Sequence, residues 1–118
     1  MKKIILMSLL VILTGCKTVE PIYYHGNYHD VVYSYFNADE ITLENQITDI
    51  NTTILNAESK GKPIAPGIHA HLGMLYFETG NTSEGVKHFE IEKQLYPESI
   101  HYVDFLMTSV QGNDNESE

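Results

Sequence analysis

Six histidines, one cysteine and sixteen acidic side chains are the residues of this 118-residue chain that could do chemistry. His25 and His29 stand at i, i+4, which places both on one helix face. His69 and His71 are two apart and point to different faces of a helix. A metal centre needs three or four converging ligands, so the histidines predict partly exposed or capping side chains, no metal site and no cofactor. The alternative is a periplasmic ligand- or metal-binding protein that uses surface histidines. The acid pairs Glu90/Glu92 and Asp39/Glu40 have no surroundings in the sequence that would bury them and shift their ionisation, so they predict a solvated face. No Ser-His-Asp order, phosphate-cradling glycine loop or dinucleotide fingerprint is present. An enzyme is not expected.

The remaining reactive group is the thiol of Cys16, which alone forms no internal disulfide. Its position explains it. Met1-Lys2-Lys3 is basic, residues 4–13 are apolar apart from Ser8, and Leu13-Thr14-Gly15-Cys16 follows. That is the order of a secretory signal. Ten helical residues at about 1.5 Å each span only half of a ~30 Å hydrocarbon core, so a permanent transmembrane helix is not expected. Leu13-Thr14-Gly15-Cys16 resembles a bacterial lipobox. The resemblance implies a signal peptide at 1–15, cleavage before Cys16, diacylglycerol on the Cys16 thiol and an acyl chain on its new amino group. Each buried methylene adds about 0.8 kcal/mol of membrane affinity and stable anchoring takes at least two chains, so such a residue holds the protein firmly. Lys17, in place of an inner-membrane-retaining Asp, resembles a cargo for the outer membrane, here expected to face the periplasm.

Beyond the anchor, residues 16–22 read as a lipidated tether and 23–112 as one helical domain, with a disordered acidic tail at 113–118. The processed chain keeps five lysines and all sixteen acids and has no arginine. It is too acidic to bind nucleic acid by neutralising phosphates.

Hydrophobic periodicity places five helices. Tyr28, Val31, Val32, Tyr35 and Phe36 form one face of a helix over about 27–36, with a strand as the alternative for this β-favouring composition. Thr42 is an N-cap for a second helix with the stripe Leu43, Ile47, Ile50, Ile54 and Ala57, and Lys60-Gly61-Lys62-Pro63 ends it. Pro66 suits the first turn of a third helix carrying Ile68, Leu72, Leu75, Tyr76 and Thr79. Gly80-Asn81 stops that helix. Asn81-Thr82-Ser83-Glu84 opens a fourth, lined by Val86, Phe89 and Tyr96 and ended by Pro97. A fifth carries Ile100, Val103, Leu106 and Val110 and stops near Gly112. The fold class is all-α.

Leu72-Gly73, Tyr76, Gly80-Asn81, Gly85, Phe89 and Pro97 resemble the tetratricopeptide repeat, a helical hairpin of 34 residues. The resemblance implies a short tetratricopeptide-like array with a capping helix. Gly73 and Gly85 would be the points of close helix approach, and Leu72, Tyr76 and Phe89 would fill the seam. His69 stands where the repeat has Trp, and Glu92 where it has a second small residue. The Thr42 helix fits the second helix of a degenerate earlier repeat, while the first helix does not fit that frame.

The whole processed chain also resembles a family of small Gram-negative outer-membrane lipoproteins of unknown function. The residues that carry this are Tyr24-His25-Gly26-Asn27-Tyr28, Lys60-Gly61-Lys62-Pro63-Ile64-Ala65-Pro66-Gly67, His69-Ala70-His71-Leu72-Gly73-Met74-Leu75-Tyr76, Glu92-Lys93-Gln94-Leu95-Tyr96-Pro97-Glu98-Ser99 and Phe105-Leu106. That family accompanies curli-secretion-pore-like lipoproteins, which implies an accessory or assembly role beside an envelope protein partner. In the repeat frame the concave surface falls to Ala70, Met74, Phe77 and Glu78, joined by His101, Asp104 and Phe105. Apolar anchors rimmed by acid and imidazole suit a peptide or helix. The tyrosine-rich front segment is a second candidate surface, because tyrosine combines contact area with a polar tip.

Overall fold

The computed structural model describes residues 18–37 and 41–114. The expected signal segment, Cys16, Lys17 and the end of the acidic tail lie outside the described residues. The chain is all-α: α1 Tyr28–Asn37, α2 Leu43–Ser59, α3 Ile68–Glu78, α4 Thr82–Leu95 and α5 Ile100–Asp114, with a 3-10 turn at Pro97–Ser99 before α5. The sole strand-like feature among the described residues is an isolated parallel bridge between Tyr24 and Ile64. No helix among them is long and apolar enough to cross a membrane.

The helix ends follow from local chemistry. Thr42 Oγ1 accepts from the Asn45 amide at 3.2 Å and opens α2. At the other end Gly61 takes φ +61°. The Lys62 amide then bonds Ala57 O and the Gly61 amide bonds Glu58 O, both at 3.0 Å, which is a Schellman closure. The same closure ends α3: Gly80 is at φ +80°, and Asn81 and Gly80 donate to Tyr76 O and Phe77 O. Asn81 then turns its side-chain oxygen to the Glu84 amide and caps α4, so one dipeptide both stops α3 and starts its antiparallel partner.

Two expected boundaries differ. Pro66 lies outside α3, because Gly67 at φ +91° is the N-cap. α5 runs through Gly112 to Asp114, so the first two residues of the expected tail are helical. A helical glycine costs about 1 kcal/mol relative to alanine, which weakens a helix without ending it.

The hairpin α3–α4 is held by its glycines. A Cβ on Gly73 would meet the Phe89 ring at 2.7 Å and Gly85 O at 3.0 Å, and one on Gly85 would meet the Phe77 ring at 2.4 Å. The backbones therefore touch where the spacing of Gly73 and Gly85 places them. The contact divides the core in two. Leu72 belongs to a cluster with Val31, Ile50, Ala57, Ile68 and Leu75, against which Tyr76 packs. Phe89 belongs to another with Ala70, Val103 and Leu106. Leu72 and Phe89 thus do not share one seam, because they leave the close contact toward different neighbours. α2 buries Gln46 and Thr53 beside its apolar stripe; Thr53 donates to Asp49 O and lies 3.0 Å from Asn27 Oδ1.

Candidate functional site

α1, α3 and α5 are alternate helices in the chain, and together they wall an open groove of about 330 Å³. Its lining is Tyr28, Val32, Tyr35 and Phe36 from α1, His71 and Met74 from α3, and Tyr102 from α5. A second depression of about 490 Å³ meets it along Tyr35 and Phe36 and is bounded by Leu43, Gln46 and Glu78. Phe36 is 78% exposed and Tyr102 54%, so two large side chains stand open at the mouth, Phe36 touching only the Tyr35 ring edge-on among the ring contacts of the described residues.

The helical period explains why α1 lines this site. Val31 turns into the core at 1% exposure, while Val32 and Phe36, four apart, point along the open side of the same face. The far wall is fixed by hydrogen bonds. Tyr35 Oη donates to Glu78 Oε1 at 2.7 Å, and the Tyr28 hydroxyl lies 3.1 Å from His71 Nδ1. Both tyrosines pack edge-on to the His71 ring. Burial pushes the Tyr28 hydroxyl up to about 12. Burial and then the Glu78 carboxylate do the same for Tyr35. Both hydroxyls are therefore neutral at neutral pH. Burial lowers His71 from its ordinary range, and its buried Nε2 has no hydrogen-bond partner.

The residues that the repeat frame selects are spread over three settings. Met74 lines the groove. Glu78 is at its edge, holding Tyr35. Ala70 is only 2% exposed and packs against Phe89, Val103 and Leu106; it is core, because α5 folds over that part of α3. Phe77 stacks on Phe89 at 5.5 Å and 22° and clamps Gly85, so it too serves the hairpin. His101, Asp104 and Phe105 are exposed on α5 outside the groove lining, with Asp104 Oδ1 3.2 Å from Lys93 Nζ. Tyr28, Val32, Tyr35 and Phe36 come from the tyrosine-rich front segment. Of the predicted concave surface only Met74, with Glu78 at the edge, joins this front segment in the groove. His71 and Tyr102 carried no separate sequence signal, although His71 stands at i−3 from Met74 and so shares its helix face.

The other histidines are structural in their contacts. His69 and His88 stack at 17°, with Nδ1 atoms 2.9 Å apart, and Tyr76 stacks on the second ring at 9°. At that distance one nitrogen donates and the other accepts, so both imidazoles cannot be charged together. Burial drives His69 down to about 4, with His88 adding to it; burial also lowers His88. His25 and His29 stack at 6.0 Å on one side of the entry to α1. Among the described residues no three His, Cys, Asp or Glu side chains are grouped to hold a metal ion.

Glu92 is the residue whose role the sequence hid. It is 1% exposed. Its Oε1 accepts from the Gly67 amide at 2.6 Å and its Oε2 from the Ala70 amide at 3.3 Å. Gly67 has no side chain to cap α3, and a carboxylate from α4 supplies the cap instead. Burial raises the Glu92 carboxyl above its ordinary value, opposed by these backbone bonds. The same corner gathers the other distinctive segments. Tyr24 N donates to Pro63 O, Tyr96 Oη donates to Ile64 O, Tyr23 meets the Tyr96 ring edge-on, and Lys60 lies over Tyr24.

An all-α protein built around an antiparallel helical hairpin, with an open aromatic groove, is the class that fold and site define. The chain belongs to the family described as Domain of unknown function (DUF4810), whose model matches residues 22–106. The match takes in α1 to α4, the groove and the start of α5. No curated protein and no solved structure matches the chain.

Proposed function

We propose that this protein is a lipid-anchored, non-enzymatic adaptor of the outer membrane, which uses the groove between α1, α3 and α5 to hold a segment of another envelope protein and assist its assembly. The groove is the observation that carries this reading: three separate helices present aromatic side chains to one open channel, and Phe36 and Tyr102 stand uncovered beside it. Exposed aromatic anchors in a concave site are the usual centres of protein recognition. The alternation of α1, α3 and α5 along the wall supports the tetratricopeptide-like reading, in which the first helix of each pair lines the concave face. α1 then acts as a first helix although its sequence lacks the repeat pattern. The Leu13-Thr14-Gly15-Cys16 motif supports the anchor on Cys16, with the domain in the periplasm. A secretion-channel lipoprotein is the partner that the family resemblance suggests.

Cross-linking of intact membranes followed by co-purification tests the adaptor. An envelope protein should be enriched over an unrelated lipoprotein control, and the enrichment should fall with Met74→Glu, which alters the groove. Equal recovery from both baits removes the proposal.

A further inference from the structure

The edge of the groove has a charge character as well as an apolar one. α1, α3 and α5 contain no lysine and no arginine; of their acids Glu78 stands where the groove meets the neighbouring depression, while Asp104 lies outside the lining and pairs with Lys93 of α4. The four lysines of the described residues lie elsewhere. Lys60 and Lys62 follow α2, held by Tyr24 and Glu20. Lys87 and Lys93 are on α4, paired with Glu84 and with Glu90 and Asp104. Glu78 is exposed at the groove edge and takes the Tyr35 hydroxyl as its partner; no cation among the described residues approaches it. A channel with apolar anchors, an uncompensated carboxylate at its rim and a chain charge of -9 disfavours an acidic occupant and favours a basic one.

We propose that the groove binds a cationic amphipathic segment of its partner, with apolar side chains against Phe36, Met74 and Tyr102 and a lysine or arginine against Glu78. This rests on the adaptor reading and specifies the partner's chemistry. A helix with apolar residues at i, i+3, i+4 and i+7 meets such a channel along one stripe, which leaves its basic residues free to reach the rim. An arginine there would also lie within reach of the Tyr35 ring, where a guanidinium gains from the aromatic face.

The test uses the full chain in phosphatidylcholine nanodiscs, with empty discs subtracted. Two fluorescent helical peptides of roughly four turns share one leucine stripe and differ only in carrying Lys or Glu on the polar face. Anisotropy should show the Lys peptide binding about tenfold more tightly than the Glu peptide. Glu78→Gln should weaken the Lys peptide about threefold and leave the Glu peptide unchanged, and Glu78→Lys should reverse the preference. Phe36→Ser, at a position already exposed, should weaken both while the far-ultraviolet dichroism stays wild-type. Equal affinities that ignore residue 78, or no binding of the Lys peptide, overturn the inference. Self-association of the chain that disperses with Phe36→Ser also overturns it, by giving the groove to a second copy. Recovery of a partner from cross-linked membranes despite either result keeps the adaptor reading and rejects only the cationic segment.

Discussion

Glu92→Ala removes the carboxylate that caps α3 from a neighbouring helix, and its cost can be worked from the geometry. The Gly67 and Ala70 amides lose their acceptors at 2.6 and 3.3 Å. An orphaned buried donor costs about 1–3 kcal/mol, so two give roughly 2–6 kcal/mol. Relief of the buried charge returns part of this, since burial already raises the Glu92 carboxyl above its ordinary value. The net expectation is about 2–4 kcal/mol of lost stability. For a domain of this size that is a fall in Tm of roughly 10–30 °C, followed by circular dichroism at 222 nm. Glu92→Gln keeps one acceptor oxygen and turns an amide donor toward the other N–H, so it should fall between Ala and wild type. Glu90→Ala, which breaks the surface pair with Lys93, should cost below about 1 kcal/mol. Hydrogen exchange localises the effect: protection at Gly67 and Ala70 should drop in the Ala variant before that of α2. A Glu92→Ala protein melting within about 3 °C of wild type, with those two amides still protected, would refute the capping argument.

The hairpin glycines give a second expectation. Gly85→Ala forces a Cβ to 2.4 Å from the Phe77 ring and 3.0 Å from Gly73 O, and should cost about 1–3 kcal/mol in chemical denaturation; an unchanged midpoint would show that the helices are further apart. Stability should also fall on acidification. His69, His71 and His88 all titrate below 6.5 in the fold, His69 near 4. Between those values the unfolded chain takes up protons that the folded chain refuses, so their contribution is present at neutral pH and lost toward pH 4. Glu92, with a raised carboxyl, has the opposite sign and favours the acid side. With three histidines against one carboxylate, the urea midpoint should drop from pH 7 to pH 5, less so in His88→Gln; a rise would contradict it. Met74→Glu should keep helicity and reduce partner recovery, whereas Phe77→Glu should unfold the hairpin through its Phe89 stack; equal helicity in both would place Phe77 in the groove instead. Cys16→Ser should accumulate as an unprocessed precursor on mass spectrometry, and normal maturation in that variant would sink the anchor.

The boundaries of the helices were legible because they are set locally. Thr42, Gly61, Gly80 and Asn81 act on amides and carbonyls within a few residues of themselves, and capping chemistry of that reach is written in sequence order. The same holds for the stripe of α2, while the two glycines of the hairpin were legible through the resemblance to the tetratricopeptide repeat. Gly112 misled for the complementary reason: a glycine permits a helix end but does not require one, and α5 continues past it.

What the chain alone determined is therefore its helices, their order and the small residues where two of them touch. Only the tertiary structure decided which of the apolar and ionisable side chains are core and which are open. Ala70 and Phe77 look like surface residues in a repeat frame, but packing of α5 buries Ala70 and the Phe89 stack half-buries Phe77. Glu92 looks like a solvated acid paired with Glu90, yet it is 1% exposed because the cap it supplies lies twenty-five residues back in the chain. The groove is of the same kind. Its walls come from helices separated by other helices, so no local pattern joins Phe36 to Met74 and Tyr102. Burial and ionisation are properties of what surrounds a side chain, and for these residues the surroundings are assembled only when α1, α3, α4 and α5 meet.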